Sequence, residues 1–152
     1  MAYSSADARQ QLLDTLARAT DDLGLALASL SEAYEQLDDH NAEALEEGLF
    51  RPVQMAYGRA KRTHAEFATR HGHPARTFEQ AGQGAPSRGV KGFLDSAADA
   101  VASADTTLAT LQDSLLPVDV GDPQLRAGLE EVRSLIDHFR AHSRELVRTL
   151  GR

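Results

Sequence analysis

The sequence predicts an all-α protein, an antiparallel up-down-up-down four-helix bundle with long helices. Three observations predict it. Apolar residues recur every seven positions in two separate stretches, Leu16, Leu23, Leu30, Leu37 and then Leu94, Val101, Leu108, Leu115, the spacing of a bundle seam. Polar turns and prolines cut the chain into four periodic segments of similar length. Hydrophobic residues make up 41% of the chain but aromatics only 5%, with no Trp. A Leu and Ala core of that kind suits close helix packing better than a sheet.

The predicted helices cover approximately residues 5–38, 42–71, 88–116 and 123–150, in one domain spanning residues 1–152. A chain of this length can bury a real core. The first helix opens after Ser4, with Asp7 three residues on in capping-box spacing. Leu12, Leu27 and Tyr34 fill in its seam, and Asp38-Asp39-His40-Asn41 forms the turn, with Asn41 as the expected next cap. The second carries Leu45, Leu49, Val53, Ala56, Ala60 and Phe67 on one arc, and Pro52 predicts a kink or a break. In the third, Ala97, Ala104 and Leu111 alternate with the heptad positions, and Pro117 marks the stop. Asp122-Pro123 supplies an N-cap and a first-turn proline for the fourth. Leu125, Leu129, Val132, Ile136, Phe139, Leu146 and Leu150 then follow.

Residues 72–87 form a Gly-rich connection, long for a bundle. Gly84 to Lys91 superficially suggests a phosphate loop, but Val90 separates Gly89 from Lys91, no Ser or Thr follows and no strand precedes. A looser anion site remains, with Arg88 and Lys91 supplying charge at a helix start.

Composition excludes several classes. A net charge of −7 argues against a nucleic-acid binder. No stretch approaches the roughly 20 apolar residues of a membrane span, and Met1 to Gln11 has no apolar signal region. The absence of Cys removes disulfides and thiolate metal sites; with these features the expected location is the cytoplasm. Arg greatly outnumbers Lys, the bias of a GC-rich bacterial genome.

From Glu32 to Glu47 the chain carries seven acids and no Lys or Arg. Arg51 to Lys91 holds eight basic residues, and Arg140, Arg144, Arg148 and Arg152 line the last helix. In an up-down-up-down bundle these segments gather into an acidic end and a basic, His-rich one. Helix-dipole preferences account for Glu43, Glu46 and Glu47 but not for Glu32, Glu35, Asp38 and Asp39 at a helix C-terminus.

None of the six His residues has Asp or Glu three positions earlier, so a di-iron carboxylate centre is not expected. His138 and His142 share one helix face, and His64 lies in or beside the inward arc of the second helix. In spacing and order this trio resembles the three-histidine site of DinB-like bundle proteins, which implies a divalent transition metal on His64, His138 and His142. The leading expectation is a non-enzymatic, cofactor-free bundle that acts by contact with a protein partner or by homo-oligomerisation. A metal- or small-anion-binding bundle, with a possible enzymatic role implied by the resemblance, is the rival.

Overall fold

The computed structural model describes residues 4–79 and 89–150. Among them the structure is all-helical, with no strand. The helices are α1 (Ser5–Glu35), α2 (Asp39–Leu45), a π-helical turn (Glu46–Phe50), α3 (Arg51–Arg70), α4 (Val90–Asp113), α5 (Leu116–Asp119) and α6 (Pro123–Leu150). No helix is long and apolar enough to cross a membrane.

Local chemistry sets the element ends. Ser4 Oγ accepts the Asp7 N–H at 3.1 Å and opens α1. Asp38, and not Asn41, caps α2: its carboxylate accepts the Asn41 N–H at 2.8 Å. α1 therefore stops three residues earlier than the periodicity suggests, and α2 starts three residues earlier. Pro117 does not end α4, which stops at Asp113; it sits inside the short α5, in the first turn where a proline needs no donor. Leu115, read as the last knob of that seam, is 69% exposed because the helix has already ended.

Pro52 lies at the start of α3, directly after the π turn. It has no N–H to give to the Gly48 carbonyl, while the Arg51 N–H reaches back five residues to Glu46. The wider turn keeps Leu45, Leu49 and Val53, spaced by fours, together in the core.

The seams meet in one apolar core. Leu12, Leu16, Leu23 and Leu30 of α1 pack with Phe67 of α3, Phe93 and Leu108 of α4, and Ile136 and Phe139 of α6. Polar ties fix which stretches face each other. His73 meets Gln10, and Tyr57 packs against Gly24. Arg70 grips Asp122, Thr63 abuts Gly128, and Gly48 abuts Leu146. Ser103 donates to Asp22, and Arg9 to the Val120 carbonyl at 3.0 Å. Arg133 and Arg140 of α6 both bind the buried Asp105 of α4, at 3.0 and 2.9 Å.

These pairs order the helices. α3 runs against α1, α6 runs against α3, and α4 runs against α1. The end of α3 and the start of α4 therefore stand at opposite ends of the bundle. This corrects the up-down-up-down expectation, which needs α3 and α4 to run oppositely. Hydrophobic periodicity fixes a helix's inward face but not its direction.

Candidate functional site

The corrected chain direction rearranges every charged feature. Call the start of α1 the near end and its finish the far end. The acids from Glu32 to Glu47 lie at the far end, but so do Arg144 and Arg148, because α6 finishes beside the π turn. Arg70, His71 and Asp122 lie together at the near end. The two sequence-predicted electrical ends are thus not formed.

At the near end, Asp122 caps α6 through the Leu125 N–H at 2.7 Å, accepts both Arg70 nitrogens at 2.9 Å, and meets His71 Nε2 at 2.9 Å. Burial alone would push its carboxyl up; these hydrogen bonds win and hold it down at about 2. His64 is buried on α3 under Phe78, whose ring meets it edge-on at 5.2 Å. The segment after α3 acts as a strap here: Arg76 stacks on Phe78 at 4.7 Å and pairs with Asp21 at 2.9 Å. Burial first, then the Arg76 charge, pushes His64 down, against opposing pulls from Asp14 and the Leu13 backbone. His64 Nδ1 has no hydrogen-bond partner among the described residues.

His138 and His142 are exposed on α6, with rings 4.8 Å apart. Thr63, the neighbour of His64, abuts Gly128, so His142 lies 14 residues further along α6, roughly 20 Å at 1.5 Å per residue. The structure therefore does not bring His64 to the other two, and no group of three His, Asp or Glu among the described residues is placed to hold a metal. The reason is again the direction of α4 and α6: His64 is near the start of α1, the pair towards its finish. Lys91 is exposed and pairs with Asp95 four residues on, at 2.7 Å. Arg88 lies outside the described residues, as does most of the Gly-rich connection.

One site was not singled out from sequence. Ser31, Tyr34 and Glu35 of α1 and Glu46 and Phe50 of the π turn line a far-end groove of about 230 Å³. Tyr34 occupies a seam position yet is 42% exposed, and Phe50 is half-buried. None of the seven acids from Glu32 to Glu47 forms an ion pair among the described residues, whereas Asp21, Asp95, Asp105, Asp122 and Glu131 all do. The signal that could have found the groove was present: an aromatic among the late seam positions, inside an acid run with no cation. Its partner Phe50 was not legible, because the π turn sets where it faces. No known protein family, curated protein or solved structure matches the chain.

Proposed function

We propose that this chain is a non-enzymatic bundle that works by protein–protein contact, taking a cationic amphipathic segment of a partner protein into the Tyr34–Phe50 groove. The observation that carries the reading is the exposed seam aromatic over an acid-rimmed apolar floor. Interface cores favour Tyr and other aromatics as anchors. Glu35 and Glu46 at the groove, like the other acids from Glu32 to Glu47, form no ion pair among the described residues. They supply local complementary charge for lysines and arginines on the partner, although Arg144 and Arg148 share this end. The proposal includes a cytoplasmic setting, in keeping with a chain that has no Cys.

The proposed scaffold is a four-helix arrangement running up, down, down, up, in which every neighbouring pair is antiparallel. A single long crossover of this type is the connectivity used by ferritin-like bundles. The likeness is one of connectivity only: the one buried carboxylate of the described core, Asp105, is held by two arginines and is not free to bind iron. A bend of the second long helix at the π turn before Pro52 belongs to the same proposal, since it brings Phe50 beside Tyr34.

An amphipathic leucine–lysine peptide titrated into labelled protein tests the reading. Amide shifts should concentrate at Ser31 to Glu35 and Glu46 to Phe50. Affinity should fall about fivefold or more in Tyr34→Ala and in Glu35→Gln/Glu46→Gln, and should weaken as salt rises. Absence of saturable binding, or unchanged affinity in both variants, rejects the groove. A second copy of the chain is the other occupant; light scattering that shows a dimer abolished by Tyr34→Ala would favour it over a separate partner.

A further inference from the structure

We propose that His138 and His142 chelate one divalent late transition-metal ion, such as nickel, copper or zinc, on the outer face of α6. The site is independent of the Tyr34 groove and is not the three-histidine arrangement that the sequence suggested. Residues four apart lie on one face of a helix, one turn above the other. Here both imidazoles are exposed, their ring centres are 4.8 Å apart and their planes are inclined by 46°.

A second observation fixes the chemistry of the pair. His142 Nδ1 lies 2.9 Å from the His138 carbonyl oxygen. A carbonyl can only accept, so Nδ1 donates, and in the neutral ring that leaves the lone pair on Nε2. Metal-binding histidines are commonly oriented by such an outer hydrogen bond to a backbone carbonyl, which selects the tautomer and raises ligand basicity. Arg140 lies between the two histidines in sequence and would repel a cation, but Asp105 holds its guanidinium at 2.9 Å. No third His, Asp or Glu among the described residues completes a set. Water therefore fills the remaining positions, and the ion is exchangeable rather than a structural one enclosed by four protein ligands.

The test is a titration of the wild-type protein with nickel ions alone, followed on the histidine side-chain signals by nuclear magnetic resonance. The His138 and His142 signals should broaden first, below one equivalent of metal. His138→Ala and His142→Ala should each weaken binding at least tenfold, because losing one arm removes the intramolecular gain of the chelate. Both positions are exposed, so neither change should disturb the fold. His64→Gln and Tyr34→Ala should bind nickel as the wild type does, which separates this site from the core histidine and from the groove. Equal broadening at His40, His71 or His73, or unchanged affinity in the two alanine variants, would overturn the proposal.

Discussion

A missing side chain at position 128 sets how closely α3 approaches α6. A Cβ added at Gly128 would fall on the Thr63 side chain. Helix propensity favours Gly128→Ala by about 1 kcal/mol, but overpacking of a closed contact costs about 1–3 kcal/mol. We expect net destabilisation in denaturant unfolding. Thr63 Oγ1 is buried without a hydrogen-bond partner among the described residues, so Thr63→Val, which keeps the shape and removes the unsatisfied hydroxyl, should leave stability unchanged or raise it by up to about 1 kcal/mol. Two titrating groups both cost stability on acidification, in different pH windows. Asp122 is held at about 2 against an ordinary 3.8. Its contribution, of order 2 kcal/mol, is complete above the unfolded value and disappears as pH falls from about 4 to 2. His64 is pushed below its ordinary 6.5; the unfolded chain then takes the proton first, so stability declines as pH drops below about 6.5. Thermal unfolding of His64→Gln from pH 7.5 to 5 should show a shallower loss than wild type, and an unchanged slope would remove His64 from the account.

The periodic positions of the helices were legible because burial repeats with the helical turn. Leu16, Leu23, Leu30, Leu94, Val101 and Leu108 are all buried as the seven-residue spacing requires. Tyr34 and Leu115 break the pattern where each helix has reached its end, and those ends depend on cap competition that periodicity does not resolve. The π turn directly before Pro52, between α2 and α3, was not legible, because it depends on what Leu45, Leu49 and Val53 bury against. Deleting Gly48 should convert the turn to α-helical spacing and rotate α2 by about 100° relative to α3. Leu45 would leave the core, and burial of one leucine contributes about 1.5–3 kcal/mol. We expect a stability loss of that order, together with loss of peptide binding at the groove. A Gly48 deletion that retained both would show that the π turn positions nothing.

At the scale of the molecule, the direction of α4 decides where every feature lies. It places the arginines of α6 at the end that carries the acids of the first turn, and it separates His64 from His142. None of this was readable from the helices, since the same four amphipathic faces close equally well in either direction. The information resides in long-range ties such as Arg9 to Val120 and Arg70 to Asp122. The most direct test is a distance between the end of α3 and the start of α4. The chain has no Cys, and Thr69 and Lys91 are both exposed, so Thr69→Cys/Lys91→Cys can be spin-labelled cleanly. The 24 residues of α4 span about 36 Å, and a dipolar distance above about 30 Å is the result expected. A distance below about 20 Å would place the two ends together, restore the up-down-up-down order, and contradict the arrangement that parts His64 from His142.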